Sequence, residues 1–258
     1  MSSAPFDRST AVDRLRAAGC VFAEDEADLL MSAAASLSDL NRLLERRCAG
    51  APLEQVVGWA ALCGVRIAVD PGVFVPRRRS EHLVRQAALV TPRGAVVVDL
   101  CCGSGAVGVA VSTAVAGVQL HAVDVDRAAV RCARRNLEPA GGLVYEGDLY
   151  APLPEALRSK VDVIVANAPY VPTAEIGLLP AEARDHEARV ALDGGPDGVD
   201  VQRRVAAEAG EWLAPGGHLL IETSARQTDA TAAAVTGAGL CVRVVRSDEL
   251  DATVVVGA

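Results

Sequence analysis

The chain has 258 residues and a mass of 26.7 kDa, enough to bury a full α/β core and leave room for a small accessory segment. Although 51% of the residues are apolar, Asp, Arg, Gly or Pro interrupts every run before the roughly 18 residues a membrane span needs, so no span is expected. A net charge of -8 and a pI near 5.1 set a field that repels nucleic acid, so such a partner would require a strong local basic patch.

The opening stretch MSSAPFDRSTAVDRLRAAG has no basic region leading into an apolar segment and a small-residue cleavage site, which predicts a cytoplasmic protein. From Glu24 through Cys48 the spacing is helical: Leu29, Leu30, Ala33, Ala34 and Leu37 mark one face, and Leu40, Leu43 and Leu44 another. Two short helices are expected, the second N-capped near Ser38 and Asp39 and stopped by Gly50 and Pro52. Next, Val65 to Val69 and Val73 to Val75 flank Asp70-Pro71-Gly72, which reads as a small hairpin. The domain limits expected are a helical N-terminal segment over 1–64, a β-hairpin linker over 65–79 and a catalytic domain over 80–258.

From Gly94 onward apolar runs alternate with amphipathic helices: VVVDL, VQLHAVD, LVYEGD and VDVIVAN, then HLLIE, LCVRVV and TVVVG. Continuous apolar strands separated by helical crossovers predict an α/β, doubly wound, mostly parallel sheet buried on both faces. The last two runs are joined only by Arg246 to Ala252, too short for a crossover helix, so they should pair antiparallel at the sheet edge.

The first strand runs into Asp99-Leu-Cys-Cys-Gly103-Ser-Gly105-Ala-Val-Gly108, which opens a helix, and Asp124 ends the next strand. Gly103, Gly105 and Gly108 match the dinucleotide fingerprint, with an acidic residue about 20 positions on. Asp99 shifts the balance, because a carboxylate at the turn repels a pyrophosphate and suits a sulfonium and ammonium cation such as S-adenosylmethionine. Glycines there would admit positive φ and let the backbone approach the ligand closely. Asp124 is placed for ribose hydroxyls and Asp148 for an adenine amino group, unless both only cap turns.

The fourth strand ends in Asn167-Ala168-Pro169-Tyr170, at the carboxyl edge where open α/β sheets hold ligands. An amide or exocyclic amino nitrogen is a poor nucleophile, since its lone pair is delocalised. The Asn167 side-chain carbonyl and the Ala168 backbone carbonyl would take its two N–H bonds, and Tyr170 would pack on the planar group. Catalysis then rests on proximity and orientation, with neither a metal nor a catalytic histidine. His82, His121, His186 and His218 show no ligand spacing. The seven cysteines fit no disulfide or zinc pattern and read as reduced, mostly buried small side chains.

At these residues the chain resembles the HemK/PrmC family of protein-(glutamine-N5) methyltransferases. The likeness also includes GAPLEQVVGW, VFVPRRRSEHLV, ALDGGPDGVD and APGGHLLIE, in family order. It implies a seven-stranded, Rossmann-like sheet of the S-adenosylmethionine-dependent methyltransferase type with a small N-terminal helical segment. It implies S-adenosyl-L-methionine contacts by Asp99, Cys101, Gly103, Ser104, Gly105, Asp124, Val125, Asp148, Leu149 and Asn167. Substrate-amide contacts fall to Asn167, Ala168, Pro169 and Tyr170, and the partner implied is a release factor carrying a Gly-Gly-Gln loop.

Three departures stand out. N-A-P-Y replaces N-P-P-Y; Pro76-Arg77-Arg78-Arg79-Ser80-Glu81 replaces P-R-P-E-T-E; and Glu187-Ala188 replaces Glu-Pro. The N-terminal helical segment also looks shorter than the family's, which bears on the partner it docks.

Other readings of the same residues are a nucleic-acid amino-methyltransferase, with Arg77, Arg78, Arg79, Arg131, Arg134 and Arg135 on phosphates, and a small-molecule N-methyltransferase. An NAD-dependent oxidoreductase and an inactive cofactor-binding module complete the set. Arginines at helical spacing more often make a solvated face. The sequence carries no signal of oligomeric state.

Overall fold

The computed structural model describes residues 7–258; the first six residues of the opening stretch, and with them the outer end of segment 1–64, lie outside it. Helices α1 Arg8–Ala17, α2 Ala23–Ala33, α3 Leu37–Cys48 and the short α4 Leu53–Val57 come first. They enclose their own apolar cluster of Val12, Leu15, Leu30, Leu40, Leu43, Leu44 and Val56. Helix α1 escaped the reading of apolar spacing because its buried stripe is only Ala11, Val12 and Leu15 among charged neighbours. The start of α3 also differs from expectation. Ser36, not Ser38 or Asp39, is the N-cap: its hydroxyl accepts from Asp39 N at 3.1 Å, and Asp39 Oδ2 reaches back to Ala35 N at 3.0 Å. Leu37 therefore opens α3 and stays exposed.

The hairpin is also displaced from the expected one. Strands β1 Trp59–Leu62 and β2 Val65–Ala68 pair antiparallel across Cys63 and Gly64, with φ of 50° and 75°. Two successive positive φ values make the turn that matches strand twist. Asp70-Pro71-Gly72 closes a separate turn, with Val73 N donating to Asp70 O at 3.1 Å, and only Gly72 bridges onward, to Glu187.

After α5 Glu81–Val90 the chain alternates: β3 Val96–Leu100, α6 Ala106–Ala114, β4 Gln119–Asp124, α7 Arg127–Leu137, β5 Leu143–Glu146 and β6 Val161–Ala166. Then come α8 Ala181–His186, α9 Asp200–Trp212, β7 Leu213–Thr223, α10 Thr228–Gly237, β8 Val242–Ser247 and β9 Ala252–Gly257. The seven strands stand in the order β5-β4-β3-β6-β7-β9-β8. Strands β3 to β7 run parallel, while β9 is antiparallel to both β7 and β8.

Successive residues of β3 point to opposite faces. Val97 joins Leu83, Val111, Leu120 and Leu137 under α5 to α7, and Val98 joins Tyr150, Ile164, Trp212 and Leu219 under α9 and α10. The sheet is thus buried on both sides, as uninterrupted apolar strands require. Chain order reverses between β3 and β6, which opens a crevice at their carboxyl ends. Among the described residues no helix is long and apolar enough to cross a membrane.

The helical layer is tied to the rest of the chain by buried polar contacts. Arg47 grips Glu26 through Nε at 2.6 Å and reaches Glu182 of α8 at 2.7 Å. The buried Gln55 side chain donates to Val73 O at 2.9 Å and His186 O at 3.2 Å. Replacing Arg47 with Ala should leave Glu26 as an unpaired buried carboxylate and destabilise the fold by about 3 to 5 kcal/mol, read from the urea midpoint. The double variant Glu26→Met, Arg47→Met should recover most of that loss.

Candidate active site

One cavity of about 630 Å³ lies across the carboxyl ends of β3, β4 and β6, a size that suits a small-molecule ligand. Of the residues expected to bind, Asp99, Cys101, Gly103, Ser104, Asp124, Val125, Asp148, Leu149, Asn167, Ala168, Pro169 and Tyr170 all line it. Gly105 does not. A Cβ there would lie 2.4 Å from Leu137 Cδ1 and 3.4 Å from Ala133 Cβ, so this glycine faces α7. At Gly108 a Cβ would meet Leu120 and Asp99, so the missing side chains of both glycines make room for packing. At Gly103, with φ +56°, a Cβ would meet only Phe74 Cβ, at 4.0 Å.

Asp99 is 1% exposed, and its Oδ2 accepts from Gly108 N at 2.8 Å. Burial pushes its pKa up to about 7; the Gly108 N–H opposes that rise and Asp124 adds to it. Asp124 is held by two backbone donors, Gly103 N to Oδ2 at 2.8 Å and Asp126 N to Oδ1 at 2.9 Å. Each oxygen keeps a second lone pair for a hydroxyl. Burial also raises the Asp124 pKa, against those backbone bonds. Asp148 pairs with Arg204 at 2.5 Å. Cys101 and Leu149 carry φ of 54° and 46°, a left-handed conformation that costs an L residue about 1 to 2 kcal/mol. Both strained residues flank the same half of the cavity.

At the other half, β6 ends and Asn167 Nδ2 donates to Ser80 Oγ at 3.2 Å. Among the described residues neither Asn167 Oδ1 nor the Ala168 carbonyl receives a hydrogen bond. The guanidinium of Arg79 lies 5.7 Å from the Tyr170 ring centre. The stretch ALDGGPDGVD packs against this turn: Val171 N donates to Leu192 O, and Gly194 N donates to Val171 O at 2.9 Å. A Cβ at Gly194 would sit 2.7 Å from Pro169 O, so bare backbone is required there.

Sequence reasoning missed much of the remaining wall: Phe74, Arg77, Leu179, Val190, Leu192 and Arg204. Glu187, which sequence left without a role, has a fully buried side chain. Its Oε1 accepts from Val75 N at 3.0 Å and pairs with Arg77 at 2.5 Å, while Oε2 has no partner. Burial pushes the Glu187 pKa up and Arg77 opposes it. The run of three arginines supplied the signal, since a buried carboxylate needs a cation. These arginines face carboxylates, Arg77 on Glu187, Arg78 on Glu249 at 3.9 Å and Arg79 on Glu222 at 4.0 Å, and so do not form a free basic strip.

A family profile described as Methyltransferase small domain matches residues 64–233. A release factor glutamine methyltransferase of Geobacter sulfurreducens is 36% identical over 201 residues, covering 77% of this chain and 70% of that protein. A 4-amino-L-phenylalanine/4-methylamino-L-phenylalanine methyltransferase of Streptomyces pristinaespiralis is 37% identical, covering 71% of this chain and 65% of its own. The crystal structure of a methyltransferase from Pyrococcus furiosus superposes with a TM-score of 0.58 at 18% identity, covering 76% of this chain and 90% of the other.

The contrast between the two glycines is measurable. Gly105→Ala should cost about 2 kcal/mol or more in urea unfolding, combining a positive φ with a clash against α7. Gly103→Ala should cost only the backbone term, about 1 kcal/mol.

Proposed function

This chain belongs to the release factor glutamine methyltransferase family, and from that premise we propose that it binds S-adenosylmethionine in the cavity and methylates the N5 amide nitrogen of a glutamine in a protein such as a peptide release factor. The observation that carries the reading is the pair of unengaged acceptors, Asn167 Oδ1 and the Ala168 carbonyl, beside a carboxylate-lined pocket.

Asp99, Asp124 and Asp148 suit a cationic ligand and oppose a pyrophosphate, which favours S-adenosylmethionine over a dinucleotide. When bound, it supplies an electrophilic methyl group on a sulfonium. Asp124 would take ribose hydroxyls, and Asp148 the adenine amino group. Asn167 and Ala168 would then hold the two amide N–H bonds in plane, leaving the nitrogen lone pair perpendicular and facing the methyl carbon. Tyr170 stacks on the amide plane, and Pro169 stiffens the backbone that carries both acceptors. Orientation of this kind contributes several kcal/mol without a general base. The nitrogen would take the methyl group as that group's bond to sulfur breaks, and one of its two N–H protons would pass to water.

The helices before residue 65 would form the docking unit for the protein partner, and residues 80–258 the catalytic domain. Arg47 and Gln55 support that division of labour, since both reach the segments that lead into the cavity wall. A second reading takes its support from the relative named for 4-amino-L-phenylalanine and 4-methylamino-L-phenylalanine: an aromatic amine also has a delocalised nitrogen lone pair and would offer two N–H bonds, or one once methylated, to the same acceptors.

The deciding experiment is transfer of labelled methyl to a purified release factor, beside a copy whose Gly-Gly-Gln glutamine is changed to alanine. Label should enter only the intact factor, and Asn167→Ala should reduce it at least about 100-fold with cofactor affinity nearly unchanged. Label in neither factor, with entry into an aromatic amine, would establish the second reading instead. The pH dependence of cofactor binding offers a separate check. A cation requires the Asp99 carboxylate, whose pKa stands near 7, so affinity should be level above about pH 8 and weaken by up to about tenfold per unit below 7. Calorimetry on Asp99→Asn should show that slope flattened.

A further inference from the structure

Ser80 stands where the short turn Arg78–Ser80 passes into α5, the position from which a serine ordinarily accepts a backbone N–H of the helix. It makes no such cap, and its φ of -67° and ψ of -10° are already helical. Its hydroxyl is turned inward instead. Ser80 is 2% exposed and accepts from Asn167 Nδ2 at 3.2 Å.

Beside it, near the end of β7, lies Glu222. This carboxylate is also 2% exposed, and among the described residues neither oxygen has a hydrogen-bond partner. Burial raises its pKa, and two neighbours oppose that rise: the Ser80 hydroxyl and the Arg79 guanidinium, whose Nε is 4.0 Å from Oε1. A buried carboxylate takes any donor within reach, and a serine hydroxyl has one proton to give. Were that proton turned toward Glu222, Ser80 would have only lone pairs left for Asn167. Only the NH₂ end of the Asn167 amide satisfies them, so its carbonyl end is left facing the cavity.

We propose that Glu222 and Ser80 are positioning residues that set the polarity of the Asn167 amide, so that an acceptor and never a donor meets the substrate nitrogen. The inference rests on the reading of the substrate as an amide or amine carrying N–H bonds. It adds a specificity device to that reading. An asparagine turned the other way would present its own N–H bonds, match a carboxylate or carbonyl, and leave a glutamine amide unpaired. Selection of glutamine over glutamate would then originate two side chains behind the residue that touches it.

The test uses the full chain with Ser80→Ala, Ser80→Thr and Glu222→Gln. Ser80→Ala should lower kcat by about 10- to 100-fold, with cofactor affinity within about twofold by calorimetry and an unchanged melting profile. The preference for a peptide bearing Gly-Gly-Gln over one bearing Gly-Gly-Glu, read as a ratio of Kd values, should fall by about tenfold or more. Ser80→Thr, the residue of the family motif, should restore both quantities. Glu222→Gln should behave like Ser80→Ala, because a carboxamide can donate to Ser80 and reverse the relay. Full activity and full preference in Ser80→Ala, or loss of both in Ser80→Thr, would overturn the proposal.

Failure of the wild-type chain to label any glutamine would count against the functional reading alone. The side-chain amide resonance of Asn167 then decides without substrate. It should shift in Ser80→Ala and hold in Ser80→Thr; an unmoved resonance in Ser80→Ala rejects the relay.

Discussion

The site depends on one geometric constraint: three parallel strands that end level with one another. Asp99 of β3 lies opposite Ala122 of β4 and Val165 of β6, and Leu100 opposite Ala166. Because the register is shared, the turns leaving β3, β4 and β6 depart at one height, and chain order reverses between β3 and β6. No helix can cover that gap, since the crossovers on its two sides lead to opposite faces of the sheet. The cavity is therefore a product of topology. Side chains then decide what enters it. A slip of one residue in β6 would turn Asn167 away from the gap and bury it.

Keeping a polar cavity at the end of an apolar sheet has a cost, and the chain concentrates that cost around it. The left-handed residues Cys101 and Leu149 line it. So do the buried carboxylates Asp99 and Glu187, while the buried Glu222 lies near Ser80 and Arg79. Each carboxylate is only partly neutralised: one backbone donor for Asp99, Arg77 and a backbone N–H for Glu187, and Ser80 with a distant Arg79 for Glu222. Incomplete pairing leaves these groups able to respond to a ligand, since a cation or donor arriving at the site meets a demand already present. The N-terminal cluster differs in this respect. Its buried Glu26 is fully engaged by Arg47 at 2.6 and 3.0 Å, which gives rigidity to a layer with no chemistry of its own.

How much of this could be read from sequence followed how local each cause is. The strands VVVDL and VDVIVA and the turn after β3 are local patterns, and the structure holds them where the pattern placed them. Asn167 to Tyr170 reached the cavity for the same reason, as residues directly after a buried strand. The glycines were harder to interpret. Gly105 looked like a ligand contact but faces Leu137, a residue some thirty positions on that no local pattern connects to it. The hairpin at 59–68 was missed because Cys63-Gly64 is a weaker turn signal than Asp70-Pro71-Gly72. Ser80, Glu187 and Glu222 were equally illegible: their meaning lies in one another's company, and only the folded chain supplies it.

The two halves of the cavity differ in what supports them. The half beside β3 and β4 is built from residues at or beside strand ends, with Asp99, Asp124 and the Gly103 turn locked by backbone hydrogen bonds. The half beyond β6 draws on short helices and turns, among them Leu179, Val190 and Leu192, which lie in the chain between β6 and α9. A wall carried by such connecting segments would tolerate change more readily than the strand ends. A release factor enzyme and an aminophenylalanine enzyme can then share more than a third of their matched residues with one chain. What the three would hold in common is an acceptor nitrogen whose lone pair is delocalised and which carries at least one N–H bond. The remainder of the acceptor would be read by the wall, which in this chain is tied through Arg47 and Gln55 to the helical layer. On that reading acceptor choice would be a property of the helical layer and the wall together, with the sheet setting only the chemistry.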